Sequence, residues 1–247
     1  MITQAFKTHI IEVGENLFDV LDEYLPCLEE KDIVVITSKI MSVSERRVVH
    51  KNACSKQELV QQEADAWIEG DFPNSYNMSL TIKNGVLIPS AGIDESNCPE
   101  GYILYPKDVQ TSAKNIWDHL RSFHKIKELG VLITDSHTTP LRRGVTGIAL
   151  GWCGFEPLYN YIGQKDLFGR PLQVTMSNAL DALSAAAVFV MGEGAEATPI
   201  GRIQKAPKIT FVDRSPTQEE EALIKIPIEE DIYFPLLSSV HWKRSRS

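Results

Sequence analysis

The chain has 247 residues, 43% of them hydrophobic and 23% charged, and 33 acidic side chains outnumber 25 basic ones for a net charge of −8. That is enough apolar material for one large core or two intertwined ones, and the acidic balance, interrupted only by a short Lys243-Arg244-Ser245-Arg246 tail expected to be solvated, argues against a nucleic-acid binder. No run of about 18 apolar residues predicts a membrane span, Met1 to Lys7 lacks a signal pattern, and the scattered Cys27, Cys54, Cys98 and Cys153 read as unpaired thiols of a cytoplasmic protein.

In chain order, Phe6 to Val13 alternates weakly and reads as a strand. Leu17, Val20, Leu21 and Leu25 have helical spacing, which predicts a helix over Glu15 to Leu25. Asp32-Ile-Val-Val-Ile-Thr37 is a compact β-branched run, a buried strand, and Ser38-Lys39 opens a polar stretch. Ser55 and Glu58 can form a capping box for a helix reaching Glu69, and Asp71 to Ser75 has turn chemistry. Asn84-Gly85 between Ser79–Ile82 and Val86–Ile88 signals a hairpin. A helix over Ser112 to His124 precedes strands at Val131–Thr134 and Thr146–Trp152. A further strand is expected at Leu172–Thr175, then an alanine-rich helix from Ser177 to Met191 stopped by Gly192. Lys208–Val212 reads as the last strand, and Ser215 with Pro216 and Gln218 as the start of a short helix. Strands and helices mix without a βαβ rhythm, so the expectation is a single α+β domain, residues 1–247, with a mixed β-sheet and flanking helices.

The chemistry centres on two aspartates. Asp135 follows the apolar run Val131-Leu-Ile-Thr134 and precedes Ser136, and Asp94 ends Ile88-Pro-Ser-Ala-Gly-Ile93 with Asn97 behind it. Carboxylates flanked by short oxygen donors suit a hard cation such as Mg²⁺, which keeps substrate phosphates and water in its shell. Arg142 and Arg143 are candidates for gripping a phosphate or carboxylate through paired hydrogen bonds. Gly192-Glu193-Gly194 offers backbone amides to an anion and a carboxylate to a cation. His137 and the Gly163–Arg170 loop are weaker candidates, and no Walker-type or dinucleotide loop is present. Acidic, phosphorylated small molecules are the expected partners.

Asp32-Ile-Val-Val-Ile-Thr-Ser38-Lys39-Ile-Met-Ser42, Ala91-Gly-Ile-Asp94-Glu-Ser-Asn97, Val131-Leu-Ile-Thr-Asp135-Ser136, Arg142-Arg143-Gly144, Asp166-Leu-Phe-Gly169-Arg170 and Met191-Gly-Glu193-Gly194 occur in an order that resembles the coenzyme F420:L-glutamate ligases, from about Thr8 to Arg202. The resemblance implies an α+β, intertwined homodimer. It also implies a reaction that uses GTP with Mg²⁺ or Mn²⁺ to join L-glutamate to a carboxylate of the deazaflavin coenzyme. By the same resemblance Asp94, Asp135, Ser136 and Glu193 are metal ligands. Ile10, Ile11, Ser38, Asn97, Gly192, Glu193 and Gly194 are nucleotide contacts. The chain departs from the family pattern at Val43, where a Lys is usual, at Ser90, at Thr138-Thr139 and at Ala182. These departures leave two alternatives open: ligation of a different acid or amino acid, or nucleotide binding without turnover. A metal-dependent phosphohydrolase is a third, weaker reading.

Overall fold

The computed structural model describes residues 1–68, 78–98 and 101–244. The elements run β1 (Ile2–Phe6), α1 (Leu17–Tyr24), β2 (Asp32–Thr37), α2 (Ser38–Ser44), β3 (Val48–His50), α3 (Lys56–Glu63), β4 (Ala66–Trp67), β5 (Leu80–Lys83), β6 (Val86–Pro89), β7 (Gly101–Ile103) and α4 (Val109–His124). They continue as β8 (Leu129–Thr138), β9 (Val145–Cys153), β10 (Leu158–Asn160), β11 (Met176–Asn178), α5 (Ala179–Met191), β12 (Ile200–Gln204), α6 (Gln218–Ile224), α7 (Phe234–Leu237) and β13 (Lys243–Arg244).

The main sheet has the order β1-β12-β2-β8-β9, and it is mixed: β2 and β8 are parallel, the other neighbours antiparallel. Why β2 is apolar throughout is plain from its two faces. Val34 and Ile36 pack with Val131 and Ile133 against α1 and α4, whereas Ile33 and Val35 pack with Leu132 against α5. A strand covered on both sides cannot alternate apolar with polar. Each such side chain contributes about 1.5–3 kcal/mol through burial. A second antiparallel sheet, β13-β4-β5-β6, and the pair β3-β7 are built from the long crossover between β2 and β8, with β13 added from the chain end.

The α+β expectation holds, as do β2, the β5–β6 hairpin and the Ser55–Glu58 capping box. Asn84 and Gly85 both have positive φ, as a tight hairpin turn requires. Other expectations are corrected. The first strand is Ile2–Phe6, and residues 8–13 form no strand. The polar stretch after Ser38-Lys39 is a helix, because Ile40 and Met41 bury one side of it. The helix over Ser55 to Glu69 ends at Glu63, since Ala66–Trp67 pairs with β5. The strand expected at Leu172–Thr175 lies one step later, at Met176–Asn178. Lys208–Val212 contributes only a bridge, Phe155 to Phe211, and the strand sits earlier at Ile200–Gln204. The short helix is capped by Thr217 with Glu220, not by Ser215. Lys243 and Arg244 are a strand on the edge of β4 rather than a loose end, whereas the turn expected at Asp71–Ser75 falls outside the described residues. Among the described residues no helix is long and apolar enough to cross a membrane.

The four cysteines are free, and they differ sharply in exposure. Burial pushes the Cys153 thiol up to about 11, so the nucleophilic thiolate is scarce there at neutral pH. Alkylation of the native protein with iodoacetamide is expected to modify exposed Cys27 and spare Cys153 until denaturant is added. Peptide mapping by mass spectrometry reads the order, and early loss of Cys153 would contradict it.

Candidate active site

Three chain segments converge beyond the end of β2. The first leaves β6 through a turn in which Ser90, Ala91 and Gly92 all have positive φ. Left-handed backbone is disfavoured for the first two, and such strain persists only where surroundings enforce it. Here the Thr81 hydroxyl accepts from the Ala91 N–H at 2.8 Å and Ser90 C=O accepts from Ile93 N–H at 3.0 Å. The turn delivers Asp94, whose backbone is bridged to Ile103 in both directions. Ser96 then folds back, its N–H donating to Asp94 Oδ1 at 2.7 Å and its hydroxyl to Oδ2 at 3.0 Å.

The second segment is β8, which runs four residues past the last β2 pairing, so Asp135 lies within the strand and not at its end. Asp135 Oδ2 accepts from the Tyr105 hydroxyl at 2.6 Å, and Ser136 hydrogen-bonds Glu193. The third segment is the loop after α5. Gly192 stops the helix at φ +85, and Asn97 reaches across to donate to Gly194 C=O at 3.4 Å. The Gly194 N–H is committed to Glu196 at 2.7 Å, so in this structure a carboxylate of the loop itself takes the amide expected to receive an anion.

The electrostatics tie these segments together. Lys39 Nζ sits 2.6 Å from Asp94 Oδ2 and 2.7 Å from Ser96 Oγ. Burial pushes Asp94 up, but the hydrogen bond and charge of Lys39 with the Ser96 contacts outweigh it, and the carboxyl lies below its usual value. Burial dominates at Asp135, raising it to about 6; Tyr105 and the Ser136 N–H oppose that, Asp94 adds to it and Lys39 subtracts. Glu193 is raised by burial as well and senses both Lys39 and Asp94. Tyr105 stays protonated, driven well above its usual range first by burial and then by Asp135 and Asp94. Lys39 thus pairs directly with Asp94, and Asp135 and Glu193 each feel the charges of both.

Among the described residues no three His, Cys, Asp or Glu side chains stand close enough to hold an ion as they are. The donor chemistry nevertheless suits a hard divalent cation. Asp94, Asp135, Ser136 and Glu193 offer oxygen only, and burial leaves Asp135 and Glu193 without full compensation of their charge.

Of the other candidates, buried Ser38 begins α2 beside Lys39. Ile11 packs on the core while Ile10 is exposed, and their segment is tied to the glycine loop by Thr8 N–H to Ala197 C=O at 2.9 Å and to α2 by Gly14 N–H to Val43 C=O at 3.0 Å. Arg142 and Arg143 occupy the exposed tip of the β8–β9 hairpin. Asp166 is spent on its own turn, accepting from the Phe168 and Arg170 N–H groups and pairing with the Arg170 guanidinium. His137 joins its ring to Thr146 C=O across the hairpin, which is a strand contact. Sequence reasoning missed Lys39 as the partner of Asp94, and Tyr105 altogether. Lys39 stood within a motif, but nothing local marked Tyr105.

The family model for F420-0:gamma-glutamyl ligase matches residues 5–205. Similar proteins include the coenzyme F420:L-glutamate ligases of Methanosarcina acetivorans, 31% identical over 80% of this chain and 83% of that one, and of Methanococcus maripaludis, 34% identical over 84% and 92%. The Archaeoglobus fulgidus ligase of the same name is 30% identical over 77% of this chain and 81% of its own. With every segment of the pocket inside the matched range, the chain belongs to the F420-0:gamma-glutamyl ligase family.

Proposed function

We propose that this protein is a GTP- and divalent-cation-dependent ligase that forms an amide between the amine of L-glutamate and a carboxylate of a deazaflavin coenzyme precursor. The single observation that supports the reading is the Lys39–Asp94 pair, whose charges Asp135 and Glu193 from two other segments both feel, within a chain of this family. Asp94, Asp135, Ser136 and Glu193 would hold Mg²⁺ or Mn²⁺. A cation held there would supply charge that offsets what develops in phosphoryl transfer. Lys39 is placed to turn its ammonium from Asp94 toward the same phosphates. Ser38, Asn97, the Ile10-Ile11 segment and Gly192-Glu193-Gly194 would line the nucleotide. The γ-phosphoryl group passes to the acceptor carboxylate, the glutamate amine attacks that acyl carbon, and phosphate leaves. No protein nucleophile is needed, which agrees with the inert environment of Cys153.

Exposed Leu141, Leu167, Phe168, Val174 and Phe189 on the β8–β9 tip, the β10–β11 arm and α5 support an intertwined homodimer as the working form, with Arg142 and Arg143 beside that surface. Sedimentation equilibrium tests it.

A second reading, a different acceptor acid or amino acid, is favoured by Val43. No side-chain cation stands at that position, and its carbonyl is tied to Gly14. Ala182 argues less, because the neighbouring Asp181 is structural: its carboxylate accepts from Ala149 N–H at 3.0 Å and joins α5 to β9. The test incubates the purified protein with GTP, Mg²⁺, glutamate and the glutamate-free deazaflavin, with mass spectrometry for product and chromatography for GDP. A glutamylated product with matching GDP is expected. GDP release only with other acceptors would favour the second reading, and no nucleotide turnover with any acceptor would remove ligation.

A further inference from the structure

Tyr105 lies outside every motif that marks the pocket, and it is buried at 5% exposure with its hydroxyl 2.6 Å from Asp135 Oδ2. That length is typical of a hydroxyl donating to an ionised carboxylate. The Tyr105 backbone is anchored and its ring is bounded on one side by a glycine. The Tyr105 carbonyl accepts from Arg47 Nε at 3.0 Å, and Arg47 is itself anchored to Glu63 at 2.8 Å. Leu104 N–H donates to Arg47 C=O at 2.9 Å. Gly92, at φ +71, lies against the ring, where a Cβ would come within 2.1 Å of Cζ. Gly92 is two residues before Asp94. One phenol therefore touches both the turn that delivers Asp94 and the carboxylate of Asp135.

Resting on the metal-dependent reading above, we propose that Tyr105 is a positioning residue for the cation site. Its hydroxyl holds Asp135 Oδ2 and so fixes the orientation of that carboxylate, and its ring sets the separation between the Asp94 turn and β8. A ligating carboxylate free to rotate loses orientation, and partners of this kind typically alter metal affinity about 10- to 100-fold.

The experiment titrates Mn²⁺ into the full chain in the presence of GTP and follows free Mn²⁺ by electron paramagnetic resonance. The proteins are the wild type, Tyr105→Phe and Asp135→Asn. Tyr105→Phe is expected to weaken Mn²⁺ binding about 10- to 100-fold and to change the spectrum of the bound ion, while Asp135→Asn loses the site. A Tyr105→Phe protein that binds Mn²⁺ as the wild type does, beside an Asp135→Asn protein that does not, overturns the positioning role and spares the metal reading. Unchanged binding in both overturns the metal reading, and this role with it. An independent measurement needs no variant: Mn²⁺ added to the wild type should perturb the near-ultraviolet tyrosine absorbance along the binding curve. A flat difference spectrum overturns the proposal even if Tyr105→Phe fails to fold.

Discussion

Asp135→Asn is expected to abolish cation-dependent GTP binding and to lower ligase turnover by about a thousandfold or more, while leaving the fold intact or slightly more stable. A thousandfold is about 4 kcal/mol of transition-state stabilisation, within the several kcal/mol that a bound cation supplies. The substitution keeps the shape and an oxygen for Tyr105, but it removes the negative charge that draws the ion. The stability side follows from the same burial. A carboxyl raised to about 6 is one whose ionised form the fold resists, so a neutral amide relieves a cost. Calorimetric titration with GTP and Mg²⁺, together with thermal unfolding, checks both halves. Unchanged affinity would take Asp135 out of the cation site, and a large fall in melting temperature would mean that its role is structural.

The largest stability effect is expected at Gly147. This residue of β9 faces α5, and a Cβ there would stand 2.3 Å from the Ser184 carbonyl oxygen and 2.8 Å from the Val188 side chain. The obstacle is helix backbone, which cannot swing aside as a flexible side chain can. Overpacking of a well-filled core costs about 1–3 kcal/mol and more where backbone must move. Gly147→Ala is therefore expected to cost about 3 kcal/mol, or roughly 6–12 °C of melting temperature at this chain size. The displaced helix ends at Gly192-Glu193, so GTP binding should weaken as well. Denaturant unfolding measures the first effect, and a loss below about 1 kcal/mol would show that α5 shifts freely.

What could be read from the sequence follows from how local each signal is. β2 was legible because Ile33, Val34, Val35 and Ile36, buried on two faces, leave a continuous apolar run. The hairpin was legible because Asn-Gly specifies its own turn. β12 was missed because Gly201 and Arg202 interrupt it, and only the fold reveals why they are there: Arg202 reaches the buried Asp32 on β2 at 3.7 Å, and Gly201 gives room to Met191 of α5. Lys208–Val212 has the better strand pattern but forms only an isolated bridge, Phe211 to Phe155. Asp94, Asp135 and Glu193 each sit in a motif, so sequence alone singled out all three. The Lys39 and Tyr105 contacts join residues 55 and 30 positions apart in sequence, respectively, and neither has a local signature. The commitment of Gly194 to Glu196 was equally hidden, because a glycine-rich loop looks the same whether or not its own carboxylate fills it.

The place of β12 between β1 and β2 governs how the molecule is made. Ile2–Phe6 and Asp32–Thr37 leave the ribosome early, yet the segment that joins them is Ile200–Gln204. At about 5–20 residues per second, roughly 10–40 s of translation separate the first strand from its partner. Throughout that interval the nascent chain carries open strand edges beside its most apolar run, a template for aggregation. Slower codons or a chaperone acting before residue 200 emerges should therefore change the yield of active protein more than any change after it.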